Sequence, residues 1–119
     1  MENSNYSYLL ERNQIFKKNR RIVKRYRYHT MFKIVSVNSK KLHLETLGVD
    51  ISVSGIGFVA NTKFDVDDII EVIFKYNKIT IPVNVKVVHV NLYDHGYFTG
   101  GQFIAIQNIY REILKQDLL

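Results

Sequence analysis

Apolar and polar positions alternate with period two along most of the chain after residue 30, the pattern of strands buried on one face. Met31-Phe32-Lys33-Ile34-Val35-Ser36-Val37 is rich in branched and aromatic residues, which favour a pleated surface. Asn38-Ser39 follows as a turn, and then Leu42 and Leu44 alternate with Lys41, His43 and Glu45. The stretch from Asp50 to Val59 predicts a strand, a sharp turn and a second strand. Ile69 to Tyr76 predicts another, and Asn77-Lys78 closes it in a two-residue hairpin, since Asn tolerates the positive φ such turns need. The clearest alternation is Ile79, Ile81, Val83, Val85, Val87. Its phase flips at Val88, which predicts a bulge or bend of the kind a small barrel requires. Pro82 has no N–H to give a ladder and belongs at an edge or an irregularity. Asp94-His95-Gly96 reads as a turn with Gly96 in the left-handed position, and Tyr97 to Ile106 as the last strand. Asn108 is the expected N-cap of a closing amphipathic helix carrying Ile109, Tyr110, Ile113, Leu114 and Leu118. Short antiparallel strands followed by one helix predict a closed or nearly closed β-barrel with a helix packed on it.

Residues Met1 to about Arg27 differ. They are polar and charged, with only Tyr8, Leu9, Ile15 and Phe16 to make one amphipathic turn or short helix. With 119 residues and 46% hydrophobic content there is material for one core. No run of about 18 apolar residues spans a membrane, and the N-terminus lacks the layout of a secretory signal. Cysteine is absent, which excludes disulfides, zinc–thiolate sites and a thiol nucleophile. These features lead us to expect a cytoplasmic protein with no membrane insertion.

The net charge of +6 favours anionic partners. Lys17, Lys18, Arg20, Arg21, Lys24, Arg25 and Arg27 crowd one stretch, although a charge run alone is ordinarily a solvated face. Catalytic readings fail. The four histidines, His29, His43, His89 and His95, show no metal-ligand spacing, and His43 and His89 fall on polar strand positions. Asp50 stands where a Gly-x-Ser-x-Gly elbow needs its first glycine. Asp65, Asp67 and Asp68 lack the rest of a calcium loop and read as a turn. No acid, base and nucleophile converge, so an enzyme is not expected, nor a metal or other cofactor.

Two short patterns remain. One is Arg-x-x-x-Arg at Arg21 and Arg25, with Arg20 directly before it; the other is Asp50-Ile51-Ser52-Val53-Ser54-Gly55, an Asp-x-Ser-x-x-Gly turn. In this order, and with Ile56-Gly57-Phe58, the late Gly100-Gly101-Gln102-Phe103 strand and the terminal helix behind them, the chain from Arg20 onward resembles the PilZ domain family. That resemblance implies a mainly β fold, a six-stranded antiparallel barrel with a C-terminal α-helix. It divides the chain into an extension over 1–19 and a domain over 20–119 that begins with a flexible basic arm. It also implies binding of cyclic diguanylate by Arg20, Arg21, Arg25, Asp50, Ser52 and Gly55.

The chemistry is consistent with this. Arginine's planar fork matches phosphate oxygens and the guanine O6/N7 edge, and its face stacks on a base. A carboxylate at Asp50 accepts from guanine N1–H and N2–H2. Ser52 offers a hydroxyl, and Gly55 removes a Cβ where backbone turns tightly or approaches a ligand. In that family an extra arginine before the pair accompanies an intercalated ligand dimer, so Arg20 implies two molecules; as a member of a basic run it reads equally as solvent-facing. The expected action is that of a receptor or adaptor. Ligand orders the arm from Phe16 to Tyr28 and presents a surface to a protein partner that the sequence does not name. The rival is a single-stranded nucleic-acid binder stacking bases on Tyr26, Tyr28, Tyr93 and Tyr97, which Asp50 makes the weaker reading.

Overall fold

The computed structural model describes residues 24–119. The expected turn around Tyr8 to Phe16, the 1–19 extension, Arg20 and Arg21 lie outside the described residues. Seven strands and a helix follow in chain order: β1 (Tyr26–Arg27), β2 (Met31–Val37), β3 (Lys40–Ile51), β4 (Gly55–Ala60), β5 (Ile69–Tyr76), β6 (Ile79–Tyr93), β7 (Gly96–Ala105) and α1 (Asn108–Leu118). All pairings are antiparallel, in the order β1-β3-β2-β5-β6-β7-β4. A further β3–β4 pairing closes β2 to β7 into a six-stranded barrel and leaves β1 as an extra strand along β3.

Closure depends on long strands that bend. The first part of β3 pairs with β2 and its end pairs with β4, with an irregularity between Gly48 and Asp50. On β6 the register against β7 shifts between Val87 and His89, which leaves Val88 as the inserted residue at the position where the sequence phase flips. Pro82 pairs across to Ile73 of β5, while β7 reaches no farther along β6 than Asn84. It therefore occupies a stretch of β6 with a partner on one side only, where a missing N–H costs no ladder bond.

Of the three two-residue hairpins, two are left-handed at both positions, Asn38 and Ser39 at φ 50° and 72°, Asn77 and Lys78 at 49° and 69°. In the β6–β7 turn the left-handed residue is Asp94 (φ 54°), not Gly96 as expected. Gly96 is the first residue of β7, and what it meets is lack of space: a Cβ there would fall 2.8 Å from the Ala60 carbonyl oxygen. The Asp65–Asp68 segment is a turn. Asp68 accepts from the Asp65 amide at 2.8 Å and from Asn38 Nδ2 at 3.0 Å, which ties it to the β2–β3 hairpin.

The inward set includes Ile34, Phe58, Ile70, Phe74, Ile81 and Val85, all essentially without solvent contact. Each contributes on the order of 1.5–3 kcal/mol through burial. Leu114 and Leu118 of α1 pack onto this core. Two helix expectations need correction. Ile109 is 65% exposed, because the buried stripe runs through Leu114 and Leu118. The N-cap is Gln107, not Asn108: its backbone is extended and its carbonyl accepts from the Tyr110 and Arg111 amides, while no side chain caps the helix. The far end is pinned instead, since Tyr76 Oη and Asn77 Nδ2 both donate to Asp117 Oδ2, at 2.9 and 3.0 Å.

Candidate ligand-binding site

The turn between β3 and β4 is built by Ser52. Its amide donates to the Gly55 carbonyl at 2.9 Å, and its Oγ accepts from the Ser54 and Gly55 amides, both at 3.1 Å. A hydroxyl that satisfies two turn amides holds the loop in one shape, and Ser52 is fully buried in doing so. Gly55 opens β4 directly beside β7, where a Cβ would lie 2.2 Å from the Gly101 carbonyl oxygen. The structure thus shows a backbone-to-backbone demand on Gly55 that needs no ligand to explain it.

Asp50 stands beside this turn on the outer wall, paired across to Gly57. Only 3% of it is exposed. Arg25 arrives from the chain entering β1, whose Tyr26 and Arg27 pair with Ile51 and Asp50. Its Nε and Nη2 donate to one Asp50 oxygen, Oδ1, at 3.0 and 2.7 Å, and Nη1 reaches Ser52 Oγ at 3.4 Å. Four of the six expected residues, Arg25, Asp50, Ser52 and Gly55, are therefore brought into one place. Arg20 and Arg21 are not among the described residues. Lys24 sits 5.7 Å from the centroid of the Tyr26 ring, a cation–π distance.

Further residues pack around the site. Tyr28 closes one end of the barrel. Its amide donates to Val49 O at 2.9 Å, its hydroxyl to Lys75 O at 2.6 Å, and its ring meets Phe74 edge-on at 6.0 Å. Gly48 makes the room: a Cβ there would be 2.4 Å from Tyr28 Cδ2. Burial raises the Tyr28 phenol above its ordinary pKa of 10.0, against the opposing bonds to the Lys75 backbone and the Thr30 side chain. At 8% exposure Tyr28 offers no open face for a base, so it is not one of the stacking platforms that the rival nucleic-acid reading invokes. Of the expected arm from Phe16 to Tyr28, residues 25–28 make contacts to the barrel within the chain.

The outer wall beside Asp50 forms a row. Asp50 pairs with Gly57, Gly57 with Gly100, and Gly100 with His89. The Phe98 ring lies over Gly57 and the His89 ring over Gly100, at 2.8 and 2.3 Å from where a Cβ would be. The two rings stack on each other, with centroids 5.5 Å apart and planes at 27°. Glycines at 55 and 57, two apart on a strand that begins at the motif, leave the start of one face of β4 without side chains, Val59 being the first residue to carry one there.

Among the described residues no cluster of His, Asp and Glu is arranged to hold a metal ion, and no helix is long and apolar enough to cross a membrane. A search of curated protein sequences finds no match. Two solved structures are similar in fold. One is the Bacillus subtilis inhibitor of motility MotI/DgrA, at TM-score 0.61 and 17% identity, covering 82% of this chain and 48% of that one. The other is the K. pneumonia MrkH–c-di-GMP complex, at TM-score 0.65 and 15% identity, covering 82% and 50%. The chain therefore spans about half the length of each. The family model described as "PilZ domain" matches residues 19–119, which takes in both sequence motifs, the whole barrel and the helix; the chain belongs to the PilZ domain family.

Proposed function

We propose that this protein is a receptor for cyclic diguanylate, holding the ligand on the outer wall of the barrel at Arg25, Asp50, Ser52 and Gly55, with Arg20 and Arg21 completing the site. The observation that carries the proposal is the convergence of Arg25 on both Asp50 and Ser52, which lie 25 and 27 residues further along the chain. A guanidinium and a carboxylate side by side suit a guanine nucleotide. The carboxylate accepts from N1–H and N2–H2, and the guanidinium donates to O6, N7 or a phosphate oxygen. The family supports the choice of ligand, as does the MrkH structure, which is a complex with c-di-GMP.

In this reading Arg25 and Asp50 exchange part of their mutual contact for contacts to the ligand. The residues preceding Lys24 close over it, and the rearranged surface addresses a protein partner in the cytoplasm without any reaction being catalysed. Arg20 would admit a second, intercalated molecule.

Calorimetric titration with cyclic diguanylate, GMP and linear diguanylate tests the proposal. Binding of the cyclic compound alone is the expected result, with a stoichiometry of two if Arg20 acts as inferred and one if it does not. No heat at micromolar protein would sink the receptor reading. A nucleic-acid binder would instead lose affinity steeply with salt and be indifferent to Asp50→Ala.

A further inference from the structure

Arg27 stands directly opposite Asp50 in the β1–β3 pairing. Residues opposed across an antiparallel pair point to the same face, with Cβ atoms about 5 Å apart. The neighbours of Arg27 identify that face. Tyr26 and Tyr28 both pack against the core, so Arg25 and Arg27, which alternate with them, project from the outer wall. Arg25 fastens to Asp50 from one outward position, and Arg27 flanks the same carboxylate from the next.

The cations of this segment differ in what they already hold. Arg25 is half-buried, and its charge is matched by Asp50 at 2.7 Å. Lys24 lies over the Tyr26 ring. Arg27 is exposed, and among the described residues it has no hydrogen bond, ion pair or ring contact. A charge run is ordinarily a solvated face. Here strand pairing holds the unmatched cation at one place, beside the carboxylate of the candidate site.

Charge balance separates the roles of the two arginines. The Arg25–Asp50 pair is formally neutral, so it offers a ligand hydrogen bonds without net attraction for an anion. Cyclic diguanylate carries two phosphodiester charges. Arg27 is the cation that the described part of this wall can set against one of them, and its planar fork suits paired phosphate oxygens.

We infer that Arg27 is a binding residue of the cyclic dinucleotide site, its guanidinium taking a phosphodiester of the ligand whose base is read at Asp50. This rests on the receptor reading above and deepens it.

The test is calorimetric titration of cyclic diguanylate into wild type, Arg27→Gln and Lys63→Gln. The two variants lose the same charge, but Lys63 is an exposed residue past the end of β4 remote from the motif. We expect R27Q to bind at least tenfold more weakly and K63Q to stay within twofold of wild type. The affinity of R27Q should also fall less with added salt, one phosphate contact having been removed. The Arg27 Nε–H resonance of wild type should move on ligand addition, and that shift decides alone were R27Q to melt early. Wild-type binding with an unmoved Arg27 resonance, with R27Q as tight as wild type, or with K63Q weakened as much as R27Q, would overturn this inference and leave the receptor standing. No binding by wild type would remove the receptor reading itself.

Discussion

Arg25 places two of its donors on a single oxygen of Asp50, and that carboxylate has almost no contact with water. An ion pair in this position stabilises by less than its short distances suggest, because both groups gave up hydration to form it. Removing one partner is costlier, since it strands the other. Arg25→Ala and Asp50→Ala should each destabilise the fold by about 1–3 kcal/mol, and the double variant by less than their sum. Urea denaturation of the four proteins in the cycle measures this. All three variants should lose cyclic diguanylate binding, including any that remains as stable as wild type.

Two glycines of the motif region separate folding from binding. At Gly55 an added methyl meets backbone, the Gly101 carbonyl, which cannot move without opening the β4–β7 ladder. Gly55→Ala should cost about 3 kcal/mol or more. At Gly57 the methyl meets the ends of two side chains, Asp50 and Phe98, both of which can shift. Gly57→Ala should cost about 1 kcal/mol yet weaken ligand binding at least tenfold, a displacement of Asp50 being enough to spoil its alignment. Melting curves and titrations on the pair check both halves.

Thr99 lies inside the barrel, and among the described residues its Oγ1 is a buried polar atom with no hydrogen-bond partner. Thr99→Val keeps the branched shape and removes the desolvated hydroxyl. It should raise stability by about 1 kcal/mol, read as a higher denaturation midpoint at unchanged slope.

The helix anchor carries a pH dependence. Burial, followed by the hydrogen bond to and the charge of Asp117, pushes the Tyr76 phenol up from 10.0 to about 12. The folded chain thus holds this proton more tightly than the unfolded one. The resulting stabilisation is complete below pH 10 and is lost as pH rises from 10 towards about 12. Tyr76→Phe should be the less stable protein at pH 8, and the gap should narrow by pH 11. Chemical denaturation at the two pH values decides it, the difference between the proteins cancelling the other tyrosines.

Much of this was legible in the residues. Period-two alternation located the strands, and its phase flip at Val88 located a bulge, because a strand buried on one face cannot change phase without an inserted residue. The Asp-x-Ser-x-x-Gly turn could be read because Ser52 and Gly55 act within a few residues of each other. What stayed hidden depends on packing between distant segments. Gly96 looked like a turn glycine, yet its constraint comes from Ala60. Ile109 fits a helical apolar stripe, but where the helix meets the barrel decides which residues of the stripe are covered. Tyr28, Phe98 and His89 lie against Gly48, Gly57 and Gly100 only through the way distant segments pair and pack.

Tyr28 sits three residues from Arg25, with its hydroxyl fastened to the carbonyl of Lys75 and its ring against Phe74. A tether this short makes the root of the cationic arm continuous with β5, on the opposite side of the molecule's chain order. On the receptor reading, a pull on Arg25 should change the opening of β5. The amide-exchange rates of Phe74, Lys75 and Tyr76 should then act as a built-in strain gauge for ligand occupancy, with the nearby Asp117 anchor joining β5 to the terminal helix.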